Sequence, residues 1–169
     1  MTPSTEITIL STGGTFNKIY NPLTGILEID SEATALREIL AKWLCRFELR
    51  TLIHKDSLEM TDEDRETLCA AVRESPSQKI IIVHGTDTME RSAAYLAERL
   101  GTFRQILFTG AMVPYAVDPV EATANLASAV GRLRGSDTPG VYIAMHGLIL
   151  PHDRIVKDRT IGRFVPRPT

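Results

Sequence analysis

Lys79-Ile80-Ile81-Ile82-Val83-His84-Gly85-Thr86-Asp87 is the stretch on which the fold turns. Ile80 to Val83 is an unbroken apolar run, the pattern of a strand covered on both faces. It ends in a loop of glycine, hydroxyl and carboxylate, and a helix over about Thr88–Leu100 follows. The same unit recurs outward in both directions. Upstream, Ile7-Thr8-Ile9-Leu10-Ser11 is a β-branched run closed by Thr12-Gly13-Gly14-Thr15, and Asn21-Pro22-Leu23-Thr24-Gly25 is loop chemistry. Leu36, Ile39, Leu40 and Trp43 recur at helical spacing over Glu32–Leu44, and Phe47, Leu49, Leu52 and Ile53 suggest a second strand. Thr61-Asp62-Glu63-Asp64 opens a helix to about Glu74 with acids in its first turn, and Ser75-Pro76-Ser77 breaks it. Downstream, Ile106-Leu107-Phe108 runs into Thr109-Gly110-Ala111-Met112, Pro119 starts a helix to about Leu133, and Gly140–Ala144 is a fifth strand.

Strands separated by helices imply an α/β fold: a single flavodoxin-like, doubly wound parallel sheet with helices on both faces and right-handed crossovers. For five strands the expected order is 2-1-3-4-5. Its switch point lies between the first and third strands, and ligands bind beyond the strands' carboxyl ends there. The loop with Gly13, Gly14 and Thr15 and the loop with Gly85, Thr86 and Asp87 then face each other across one crevice.

Composition narrows the classes. The chain has 169 residues, enough for one domain, and is 43% hydrophobic and 24% charged, as globular proteins are. A net charge of −2 argues against a nucleic-acid binder, and no apolar run approaches a membrane span. Met1–Glu6 lacks the basic start of a secretory signal, so a soluble, cytoplasmic protein is expected. Cys45 and Cys69 form no disulfide framework, and Cys69 beside Leu68 and Val72 reads as a buried free thiol. His146, His152 and Asp153 match no standard metal spacing, so no metal is expected. His84 and His146 sit before glycines at strand ends, where an imidazole commonly orders a loop. Pro151–Thr169 is basic without interleaved aromatics and reads as a solvated tail or a subunit-contact arm.

The two loops lack a phosphate loop's Gly-Lys-Ser/Thr ending, a dinucleotide fingerprint and a Gly-x-Ser-x-Gly elbow. Taken singly, Thr12, Thr15 and Thr86 are more often turn or cap residues than nucleophiles. Thr88 is expected to cap the following helix, and Asp87 could stabilise that helix's N-terminus. The pairing of two hydroxyl-bearing loops is what points to chemistry, since a threonine attacks only when a neighbour takes its proton.

Thr12-Gly13-Gly14-Thr15-Phe16 resembles the first signature of the bacterial-type L-asparaginases, and His84-Gly85-Thr86-Asp87-Thr88-Met89-Glu90 resembles their second almost letter for letter. Gly110-Ala111-Met112 with Pro114 and Asn125-Leu126 is similar to a later family segment, and Asp56-Ser57-Leu58-Glu59-Met60 to the substrate-carboxylate loop. The resemblance implies amide hydrolysis through an acyl-enzyme, with Thr15 attacking and Thr86, Asp87 and Lys157 handling protons. Lys157 would have to be partly desolvated for that. Tyr20 resembles the family's mobile-loop tyrosine, its alternative being a packing aromatic. Gly14, Ser57, Gly85 and Ala111 would line the substrate, Ser57 and Asp87 holding its α-carboxylate and α-amino groups, and backbone N–H groups would stabilise the oxyanion.

The implied molecule is a homo-oligomeric, cofactor-free amidohydrolase acting on L-asparagine or a related small amide, with no nucleic-acid or membrane partner. Residues 1–169 read as the family's N-terminal-type catalytic domain, with 151–169 a basic arm and the usual small second domain absent. Leu58 stands where the family often has Gln, and Val117–Glu121 replaces a small-polar stretch, which bears on substrate identity. Two rivals stay open: a non-catalytic amino-acid or amide-binding module, and an amidase acting on a different or larger amide.

Overall fold

The computed structural model describes residues 6–43, 46–101 and 103–169. Cys45, Leu44 at the end of the first expected helix, and the Met1–Thr5 segment lie outside them. Five parallel strands form the expected core: β1 (Ile7–Gly13), β4 (Phe47–Lys55), β5 (Lys79–Val83), β6 (Gln105–Thr109) and β7 (Gly140–Met145). With the antiparallel edge strand β8 (Leu148–Pro151) they make a sheet of order β4-β1-β5-β6-β7-β8. Its parallel part is the 2-1-3-4-5 arrangement read from the sequence.

Pleating divides each strand between two cores. Ile7, Ile9, Ile81, Val83, Leu107 and Ala144 pack on one face, against α1 (Thr34–Leu40) and α4 (Pro119–Gly135). Leu10, Ile80, Ile82, Ile106, Phe108 and Ile143 pack on the other, against α2 (Asp62–Glu74) and α3 (Met89–Leu100). Thr61 caps α2 through a reciprocal pair with Asp64, and Pro119 sits in the first turn of α4.

This allocation corrects the expectation of uniformly right-handed crossovers. The steps from β5 to β6 and from β6 to β7 run in the same direction across the sheet, yet α3 and α4 lie on opposite faces. The α4 crossover therefore has the opposite hand to the other three, which share one hand. The cause is coverage. Helices α2 and α3 already fill one face, while α1 alone leaves the far face of Ile81, Leu107 and Ala144 open until α4 crosses to it.

Three small elements escape the periodicity. Strands β2 (Lys18–Asn21) and β3 (Ile26–Ile29) form a surface hairpin whose Ile19, Tyr20, Ile26 and Leu27 are exposed. β8 returns from β7 through His146-Gly147, both at positive φ (54° and 81°), the two-residue hairpin geometry that suits strand twist. β9 (Ile155–Asp158) and β10 (Arg163–Pro166) pair in the stretch read as a solvated tail or subunit-contact arm. That hairpin is pinned by Ile155 and Phe164, which are buried against the α2–α3 core. Alternation puts Lys157 on the same side of β9 as Ile155, facing inward.

Candidate active site

The loops after β1, β4 and β5 meet at the carboxyl ends of their strands, around the switch point. Gly14 has φ 74°, and a Cβ there would stand 2.5 Å from Gly85 N, so the two glycine loops touch backbone to backbone. A Cβ on Gly85 would in turn strike Ser57, which is buried. Gly14 N–H donates to Lys55 O at 3.0 Å, tying the first loop to the end of β4. By contrast, the N–H groups of Thr15, Gly85, Thr86 and Asp87 donate to no acceptor among the described residues.

Thr15 opens a single helical turn, Thr15–Asn17, and is half-buried, its hydroxyl bonded to no described residue. On the facing loop, Thr86 Oγ1 accepts from Lys157 Nζ at 2.8 Å, and Asp87 Oδ1 accepts from the same ammonium at 2.7 Å. The Lys157 side chain is only 8% exposed. Arg159 adds a second cation, Nη1 to Asp87 Oδ1 at 2.7 Å and Nη2 to Asp87 O at 2.9 Å. The Lys157 hydrogen bond, followed by that from Arg159, holds the Asp87 carboxyl below its ordinary range against the opposing effect of burial. Burial also works to raise Asp56, but Lys18 at 2.9 Å and the Leu58 amide outweigh it and keep that carboxyl low.

Of the other residues singled out, Ala111 is buried in the loop after β6, which is pressed against the carbonyl of His84 through Gly110. Tyr20 lies on the β2–β3 hairpin, 61% exposed, its hydroxyl bonded to no described residue. Thr88 departs from its expected part. It precedes α3 but makes no side-chain cap; its hydroxyl donates to Ser57 O at 2.8 Å instead, and its N–H donates to Ser57 Oγ at 3.3 Å.

A buried support behind the β5 loop was not anticipated. Arg65, fully buried on α2, donates from Nε to Ser92 Oγ at 2.9 Å and from Nη2 to Thr88 Oγ1 at 3.3 Å. His84 bonds Ser92 Oγ through Nε2 at 2.8 Å and Gly85 O through Nδ1 at 2.6 Å. Because Gly85 O only accepts, Nδ1 carries the proton; Nε2 then accepts from the serine hydroxyl, which itself accepts from Arg65. The signal for Arg65 lay in the helix pattern: with Leu68, Cys69 and Val72 it occupies the apolar stripe of α2, where a charge has to find partners.

Burial pushes His84 down to about 4 from the ordinary 6.5. A histidine held neutral in the fold leaves the unfolded chain to take up the proton first, so its stabilisation is complete above pH ~6.5 and drains away as pH falls towards ~4. The loss across that window is ~3 kcal/mol. Urea unfolding between pH 7 and 4.5 is expected to show most of it, and His84→Gln to flatten the slope. An equal slope in the variant would mean that other groups carry the titration.

His146 also ties a loop. Its Nδ1 accepts from Phe164 N–H at 3.1 Å and its Nε2 meets Glu121 Oε1 at 2.9 Å, while Glu121 also accepts the amides of Met112 and Val113. Among the described residues no cluster of three or more His, Cys, Asp or Glu is arranged to hold a metal ion, and no helix is long and apolar enough to cross a membrane. Cys69 is a buried free thiol, and burial raises its pKa.

Solved structures share this architecture. The thermostable L-asparaginase from Thermococcus kodakarensis superposes with a TM-score of 0.81 at 28% identity, over 95% of this chain and 51% of that one. The probable cytoplasmic L-asparaginase from Campylobacter jejuni gives 0.77 at 27% identity, over 96% of this chain and 53% of that one. In sequence, the probable periplasmic L-asparaginase of Haemophilus influenzae is 30% identical over 167 residues, covering 92% of this chain and 47% of its own length. One of the subunits of the glutamyl-tRNA(Gln) amidotransferase from Archaeoglobus fulgidus is 32% identical over 151 residues, covering 84% of this chain and 35% of its own length. The chain thus spans half or less of the curated relatives it matches. Residues 6–163 match the family model described as Asparaginase, N-terminal, and with that match over nearly the whole described fold the chain belongs to the asparaginase family.

Proposed function

We propose that the two loops hydrolyse a small amide, L-asparagine or a close relative, to the acid and ammonia through an acyl-threonine intermediate. The observation that carries this reading is the bridge from Lys157 Nζ to both Thr86 Oγ1 and Asp87 Oδ1, held by an almost fully buried lysine facing a second threonine loop. A site that only binds has no need of two hydroxyls and an ammonium on one crevice. Thr15 Oγ attacks the amide carbon, and its proton passes through the Thr86–Lys157 pair to the departing nitrogen, which leaves as ammonia. Water then cleaves the Thr15 ester and restores the hydroxyl proton. The unengaged N–H groups of Thr15, Gly85, Thr86 and Asp87 are the available oxyanion donors, since Gly14 N–H is taken by Lys55. The names of the relatives, asparaginases and part of an amidotransferase, accord with amide chemistry.

Ammonia release from asparagine, glutamine and simpler acid amides over a wide concentration range is the direct test; no release from folded protein on any of them would sink the reading. Gly14→Ala tests the backbone contact: its Cβ cannot fit 2.5 Å from Gly85 N, so the threonine loops must separate. A displacement of that size is expected to lower kcat about 100-fold, and an unchanged kcat would show that the loops need not touch. The same reading has Tyr20 closing over the substrate and the protein working in the cytoplasm as a homo-oligomer, which solution mass and cell fractionation check.

A further inference from the structure

Three carboxylates in and around the threonine loops are already matched to cations. Asp87 Oδ1 takes Lys157 and Arg159, both at 2.7 Å. Asp56 takes Lys18 at 2.9 Å, and Glu90 takes Arg167 at 3.1 Å together with the Lys157 N–H at 3.2 Å. Glu59, exposed on the turn after Asp56, makes no hydrogen bond to either threonine loop. An ammonium group entering beside Asp87, Asp56 or Glu90 meets an acid whose charge is compensated, and at Asp87 it meets Arg159 and Lys157 at close range as like charges. A carboxylate entering here meets those same two cations, the unengaged loop amides and the Ser57 hydroxyl, whose hydrogen is not committed to a described acceptor.

We infer that Arg159 is the specificity-determining residue of this site: by closing Asp87 with a second cation it selects acid amides that lack a free α-ammonium, the class of succinamate, over amino-acid amides such as asparagine. The inference rests on the amidohydrolase reading of the same loops and narrows its substrate. Arg159 is well placed for such a part. It lies in the turn between β9 and β10, its side chain 61% exposed, on a hairpin anchored independently by Ile155 and Phe164. Its identity can change without unfolding the chain, while its guanidinium decides what charge Asp87 still offers.

The test uses the product pair, which needs no turnover. Calorimetric titration of the wild type with succinate and with L-aspartate is expected to show succinate bound at least about tenfold more tightly. Arg159→Ala is expected to shrink that ratio at least about tenfold, chiefly by admitting aspartate, and Arg159→Lys, which keeps the charge but not the two-pronged contact with Asp87, to retain more of the preference than Arg159→Ala does. An unchanged ratio in Arg159→Ala, equal binding of the two acids by the wild type, or no binding of either overturns the assignment. Parallel ammonia assays on succinamate and asparagine separate it from the underlying reading. Discrimination as expected with no amide hydrolysed leaves Arg159 assigned and removes the hydrolase. Hydrolysis that prefers asparagine and ignores Arg159 does the reverse.

Discussion

Thr15→Ala is expected to bring ammonia release to background, a loss of about 10⁴-fold or more, because on the proposed mechanism Thr15 is the nucleophile of a coupled group, whose removal costs nearly the whole of the group's contribution. Stability should hardly move. The Thr15 side chain is half-buried and bonded to no described residue, so its truncation leaves no orphaned partner and no large cavity. A change within about 0.5 kcal/mol is expected on chemical unfolding. Measuring rate and unfolding on the same preparation makes the result decisive: retained turnover by well-folded protein would remove Thr15 from the chemistry and leave Thr86 as the remaining loop hydroxyl that Lys157 can serve.

Lys157→Met should cost at least about 100-fold in kcat, the scale of a positioned proton-transfer group. Methionine keeps the length of the buried aliphatic stem but cannot donate to Thr86 Oγ1 or Asp87 Oδ1. Asp87 retains Arg159, so the loop keeps one of its two cations and is expected to stay in place. Substrate affinity should therefore change less than turnover. A near-normal kcat would show that the ammonium holds the loop but moves no proton, and an equal loss in kcat and affinity would show a binding role instead.

How far the sequence reaches is clear from particular residues. The five core strands were readable because apolar runs such as Ile80–Val83 alternate with helical spacing and turn residues, and their order followed from the doubly wound fold that this alternation implies. The signatures around Thr15 and Thr86 named the two loops, and the sheet order alone brought them together. Lys157 came from resemblance, since nothing local separates it from the neighbouring Arg154, Arg159 and Arg163. The surrounding charge hid Ile155 and Phe164, the two apolar residues that fold this stretch onto the core. The β2–β3 hairpin buries too little to leave a period, and Ile19 and Leu27 face outward. The hand of the α4 crossover is a non-local matter, set by which face of the sheet the other helices leave bare. Arg159's grip on Asp87 spans 72 positions of sequence, and no spacing rule could reveal it.

The docking of the β9–β10 hairpin has a consequence in time. Synthesis releases the threonine loops first, and the strands that seat them can pair before residue 157 exists. At roughly 5–20 residues per second, the stretch from Thr86 to Lys157, 71 positions on, takes seconds to emerge. On the proposed mechanism the nascent chain is chemically silent through that interval, its nucleophile in place but with no ammonium beside it. On the same mechanism it becomes competent only once Ile155 and Phe164 dock and carry Lys157 under Thr86. On that mechanism the hairpin is the arming pin of the site.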